Sequence, residues 1–169
     1  MYMMHVHDKH IKRERIMRKK LTTAVVTLGL TALGFTIPTT AQAASGCNAK
    51  WPGRDGYVRA WDGYDCQGEL LGASVGNDWS WGDVEGDFQE QDYNRASSVM
   101  NSGFIGGKDV VAFHWIAGMN SEYACLSPNE FFVDNLSRNK FTNGESMDNS
   151  IGSHRWVTAS ECGAGTWMS

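Results

Sequence analysis

From residue 46 onward the chain alternates short apolar runs with clusters of Gly, Asn, Asp and Ser. Six runs predict strands: Gly56–Trp61, Glu69–Leu71, Ser97–Asn101, Val110–Trp115, Tyr123–Leu126 and Arg155–Ala159. No window longer than ten residues carries a helical stripe, and Pro falls only at Pro52 and Pro128 in this part of the chain. That pattern fits an all-β sandwich rather than an α/β fold. The stretch Trp61-Asp62-Gly63-Tyr64-Asp65-Cys66-Gln67-Gly68 stands out within it. The strand-like Tyr57-Val58-Arg59-Ala60 leads in, an aromatic opens it, and Gly63 and Gly68 let the backbone fold over tightly. The same eight residues also fit an ordinary hairpin loop.

The first 43 residues follow a different pattern. Lys12, Arg13, Arg15, Arg18, Lys19 and Lys20 precede an apolar stretch, Leu21–Ile37, and a polar segment ends in Ala41-Gln42-Ala43. This is the layout of a secretory signal peptide, with cleavage expected after Ala43. The apolar stretch is interspersed with Thr and is marginal for a membrane span. Met17 is an alternative start, with Arg18-Lys19-Lys20 as the whole basic segment. Ala44-Ser45-Gly46-Cys47 faintly resembles a lipoprotein processing site, but lipidating Cys47 would leave three cysteines, an odd number for an exported protein.

The expected product, residues 44–169, has 126 residues, enough for one domain with its own core. The leader holds 7 of the 15 Lys+Arg and 2 of the 19 Asp+Glu, which leaves 8 basic and 17 acidic residues and a net charge near −9. So acidic a domain lacks a nucleic-acid footprint and repels anionic surfaces, while it suits calcium or a basic partner. No membrane contact is expected after cleavage, and the domain is expected to be a monomer. Four cysteines in an exported chain imply two disulfides, and three pairings are open. Cys47–Cys66 with Cys125–Cys162 is favoured, because each bridge then stays within one half of the domain. Zinc is disfavoured, since no Cys-x2-Cys spacing occurs.

A weak internal repeat supports the division into halves. Tyr57–Trp61 matches Val110–His114 at an offset of 53, and Asn94–Ser98 matches Asn149–Ser153 at 55. A repeat near 54 residues fits two Greek-key units, about 47–105 and 108–162, packed face to face. On these residues the chain resembles the βγ-crystallin-like superfamily, whose keys carry an aromatic, a second aromatic five residues on and a Gly two beyond. Trp61 and Gly68 match, and Cys66 replaces the second aromatic. Phe113 and Gly118 give the second key a poorer match. The leader, the cysteines and the phrases Gly56-Tyr57-Val58, Ala60-Trp61 and Tyr123-Ala124-Cys125-Leu126 narrow the likeness to peptidase inhibitor family I36, the Streptomyces metalloproteinase inhibitor type. Arg59 stands where members often carry Cys. The resemblance implies a βγ-crystallin-like sandwich and a secreted inhibitor whose partner is a secreted protease, a metalloprotease first. The rival reading is a calcium-binding or cell-envelope-associated structural module.

Candidate chemistry is sparse. His114 and His154 are the two histidines past the leader, and neither lies in a His-Glu-x-x-His or nucleophile-elbow motif. Alternation beside Phe113 and Trp115 predicts that His114 faces outward. No catalytic residue is expected and no cofactor is required. The superfamily's calcium motif is Asn/Asp, Asn/Asp, two free positions, Ser/Thr, Ser, an oxygen-rich turn for a hard cation. Tyr93–Ser98 fails at its first position and Asp148–Ser153 at its fifth. Asn94, Ser97, Asp148 and Asn149 are the candidate ligands, and the same Ser residues could instead brace their turns. The acidic stretch Asp78–Asp92 contains Trp79 and Trp81, a pair that fits either a core plug or a contact surface. Gly106-Gly107-Lys108-Asp109 reads as the link between units, and Gly163–Ser169 as a tail with Trp167 as its anchor.

Overall fold

The computed structural model describes residues 46–169, so the expected leader and its cleavage site lie outside the described residues. Seven strands follow a short helix α1 (Gly46–Lys50): β1 (Val58–Trp61), β2 (Leu70–Ser74), β3 (Ser98–Asn101), β4 (Val110–His114), β5 (Tyr123–Leu126), β6 (Phe132–Val133) and β7 (Ser153–Val157). The six sequence-predicted strands are all present, with ends shifted by up to a few residues. The two-residue β6 was too short to show as an apolar run.

The strands form two antiparallel sheets, ordered β2-β1-β3-β6 and β5-β4-β7. Each half lends one segment to the other half's sheet. β6 pairs with β3, and Asp78 bridges to His154 on β7. The fold is thus an all-β sandwich of two interlocked Greek keys, as the sequence resemblance implied. The pairings repeat at the sequence offsets. Ala60 faces Val99 across β1 and β3, and Phe113 faces His154 across β4 and β7. The hairpin loops match as well. Asp62 N–H donates to Glu69 O in the first, and Trp115 N–H donates to Glu122 O in the second. Both loops turn on two successive left-handed residues, Asp65 and Cys66 in one, Gly118 and Met119 in the other. Gly118 is therefore the counterpart of Asp65, not of Gly68, which explains the imperfect spacing in the second motif.

Val58, Ala60 and Val99 from one sheet meet Val111, Phe113, Ala124 and Leu126 from the other, with Trp81, Phe88 and Leu136 filling the centre. The outer faces are not left to water. The α1 segment, tied by Cys47–Cys66, packs with Trp51 onto Trp61, Met100 and Phe132. On the opposite side the Cys125–Cys162 bridge closes over Val110, Ala112, Val157 and Tyr123. Both disulfides are the pair favoured from sequence. The expectation for His114 is corrected: it does point away from the central core, but it is buried. Its outward face is covered, and its Nδ1 lies 3.1 Å from Ser121 O. Alternation fixed its side of the sheet, and the contacts there, with Ser121 O and the Tyr123 ring at 5.7 Å between centroids, belong to the tertiary structure.

Candidate functional site

The four candidate calcium ligands lie on two turns that the fold brings together. Asn94 and Asn149 are both left-handed, with φ of 57° and 54°, a conformation that Asn tolerates better than most residues. Asn94 N–H donates to Ile151 O at 3.0 Å, and Asn149 N–H donates to Ala96 O at 2.9 Å. The turns therefore clasp each other across the pseudo-twofold axis. The closing serine of each motif braces its own hairpin. Ser98 Oγ donates to Gly63 O at 2.7 Å, and Ser153 Oγ donates to Ile116 O at 2.7 Å.

The two turns differ in charge. Asp148 Oδ2 accepts from the Tyr64 hydroxyl at 3.0 Å and from Asn149 Nδ2 at 3.2 Å, while its Oδ1 is buried without a hydrogen-bond partner. The neighbouring carboxylate pushes the Tyr64 hydroxyl pKa up. In the first turn the matching position is Tyr93, whose ring packs where a Cβ on Gly152 would lie 2.8 Å away. The adjacent Asp92 is used locally: its Oδ2 accepts from Gln89 N–H at 2.8 Å, and burial raises its pKa. Of the four candidate ligands, Asp148 alone carries a charge; Asn94, Ser97 and Asn149 bring neutral oxygens. Among the described residues, no group of three or more His, Cys, Asp or Glu side chains is placed to hold a metal ion.

The two tryptophans lie in different surroundings. Trp81 is fully buried, stacks on Phe88 at 4.1 Å between ring centroids, and donates Nε1–H to His154 Nδ1 at 2.9 Å. As a contact residue Trp81 is therefore corrected: it plugs the core. Its backbone N–H donates to Gly152 O as that of Leu136 donates to Ser97 O, so the two are counterparts in the two keys. Trp79, two positions away across a bend in the chain, is 61% exposed. It edges a cleft of about 230 Å³ with Asp83 and Glu85. Asp78 lines the same cleft from its floor. It is buried, accepts from the N–H groups of Ser80 and Phe88, and has its pKa raised by burial.

His154 is fully buried, with Nδ1 accepting from Trp81 and Nε2 directed at Gly76 O at 3.1 Å. Desolvation pulls its pKa down to about 4. Both ring nitrogens are committed to structure.

Sequence reasoning treated the β3–β4 connection only as a link. The structure places Phe104 and Ile105 at its tip, 65% and 63% exposed, beside a cavity of about 310 Å³ that Val75, Trp156 and Lys108 help to line. The available signal was an apolar pair bracketed by Gly103 and Gly106.

No family model and no curated protein matches the chain. Solved structures similar to it include one described as "Evolution of the eye lens beta-gamma-crystallin domain fold", 20% identical with a TM-score of 0.44, covering 63% of this chain and 89% of that one. Another is described as "Crystal structure of a betagamma-crystallin from an Archaea", 17% identical with a TM-score of 0.41, covering 60% of this chain and 96% of that one. The fold assignment itself rests on the strand order and pairings given above.

Proposed function

We propose that this chain is a secreted inhibitor of an extracellular metalloprotease that acts by binding rather than by chemistry. The supporting observation is the disulfide-tied cover on each sheet. It leaves apolar side chains such as Phe104 and Ile105 exposed on a loop carried by a braced frame. Such a frame presents a loop with little ordering entropy left to lose on binding, and it resists digestion. The two disulfides match an oxidising compartment. The choice of a metalloprotease comes from the sequence resemblance. The test is titration of the purified chain against thermolysin-like, serine and cysteine proteases. Near-stoichiometric inhibition of a metalloprotease is expected. No inhibition of any class at micromolar dose, with digestion of the chain itself, would remove this reading.

A calcium-binding structural module is the second reading, and one observation favours it. The buried, unpartnered Oδ1 of Asp148 lies on a turn clasped to a second oxygen-bearing turn.

A further inference from the structure

We infer that the loop Ser102–Asp109, with Phe104 and Ile105 at its tip, is the segment that enters the protease cleft. This assignment rests on the inhibitory reading above and names the part of the surface that carries it.

A protease cleft takes an extended segment by pairing with its backbone and by seating alternate side chains in pockets. The inserted segment therefore needs exposed side chains and free backbone groups together. The described domain has two adjacent pairs of exposed large apolar residues, Phe104–Ile105 and Trp115–Ile116. The second pair is spent internally. Trp115 N–H donates to Glu122 O, Ile116 N–H donates to Ser121 Oγ, and Ile116 O accepts from Ser153 Oγ. The backbone groups of Phe104 and Ile105 make no hydrogen bond within the described domain. Trp79 is as exposed, but its carbonyl is held by Gly118 N–H at 2.8 Å.

The loop is also closed at its base by a buried side chain. Asn101 Oδ1 accepts from Gly103 N–H at 2.9 Å, and its Nδ2 donates to Asp109 O at 2.9 Å and to Leu126 O at 3.1 Å. One fully buried amide thus grips both ends of the loop. Arg54 adds a second tie: its guanidinium donates to Asn101 O at 3.3 Å and Gly103 O at 3.2 Å, and it also reaches Pro128 O. Within the loop, Gly106 N–H donates to Asp109 Oδ2 at 2.8 Å. Phe104 lies over Gly56, where an added Cβ would sit 2.9 Å from the ring. Binding then orders little that is not already ordered. A cut at the tip would leave both new ends held by Asn101, so the cleaved loop would stay in place.

The test compares the wild-type chain with Phe104→Ser, Ile105→Ser, Trp79→Ser and Asn101→Ala against the metalloprotease it inhibits best. Phe104→Ser or Ile105→Ser should weaken inhibition by at least about 30-fold, the size of a hot-spot truncation, and Trp79→Ser should leave it within about threefold. Asn101→Ala should turn the chain into a substrate cut between Gly103 and Gly107. Because Asn101 is buried and its variant can fail to fold, the two exposed tip variants decide the matter. If wild type inhibits and both tip variants match it, the loop assignment is overturned while the inhibitory reading stands. If wild type inhibits no protease, both fall together.

Discussion

His154 replaces an aliphatic residue in the middle of a β-strand. Its counterpart in the other key, facing Ala60 as His154 faces Phe113, is Val99. The imidazole is accommodated because the Trp81 indole and the Gly76 carbonyl satisfy its two nitrogens, a requirement for any buried polar group. Its depressed pKa has a consequence for stability. The folded state holds His154 neutral down to about 4, whereas an unfolded His takes a proton near 6.5. The contribution is therefore complete above pH 6.5 and is lost as pH falls toward 4. It amounts to about 3 kcal/mol across that window. The raised pKa of buried Asp78 opposes part of this loss, since its effect favours the folded state at the acid end. Urea midpoints measured from pH 7 to pH 4 should fall, and His154→Gln should flatten the slope. An unchanged slope in that variant would refute the assignment.

The end segments do at the scale of elements what the core side chains do between the sheets. β1 and β3 turn Trp61 and Met100 outward, and β4 turns Val110 and Ala112 outward, so a bare sandwich would expose apolar surface on both sides. The Cys47–Cys66 and Cys125–Cys162 bridges, with separations of 19 and 37 residues, fasten a cover to each face. In the chain-entropy account they contribute about 3 and 4 kcal/mol respectively. Replacing Cys125 and Cys162 by Ala should lower the unfolding free energy by about 4 kcal/mol. It should also speed amide exchange at Cys125, whose N–H donates to Thr166 O at 2.7 Å across the tail. Exchange at Ala60, between the sheets, should change only through the global stability. Equal loss of protection at both sites with no drop in stability would contradict the covering role.

At the scale of the molecule, the net charge near −9 over residues 44–169 and the clasped turns bear on the second reading. A site with one carboxylate binds calcium in the millimolar range, typical of extracellular modules. At roughly tenfold excess over such a dissociation constant, linkage predicts about 1.4 kcal/mol of stabilisation and a melting temperature higher by roughly 5 °C. Asp148→Asn should abolish the rise. No calcium response in the wild-type chain, or the same response in the variant, would discard the turns as a calcium site.

Six of the seven strands, the fold class and the favoured disulfide pairing were legible in the sequence because each follows from local periodicity or from the repeat. The offsets of 53 and 55 residues placed Ala60 against Phe113 and Asn94 against Asn149 before any contact was known. Three features were not legible. The exchange of β6 and Asp78 between sheets depends on pairing across more than 30 residues, and β6 is two residues long. Trp79 and Trp81 look alike in sequence. They part because Trp81 shares the register of Leu136 and faces the gap between the sheets, while Trp79 faces water. The buried amide of Asn101 has no sequence signature at all. A strand-end Asn becomes a clamp only when the tertiary fold carries the Asp109 and Leu126 carbonyls to it. The sequence by itself determined the six longer strands and favoured the cysteine pairing that formed, since those are properties of neighbours and of a repeat. The tertiary structure alone decided which side chains are spent on the frame and which loop keeps its backbone groups unpaired within the described domain, because that depends on where remote hydrogen-bond partners come to lie.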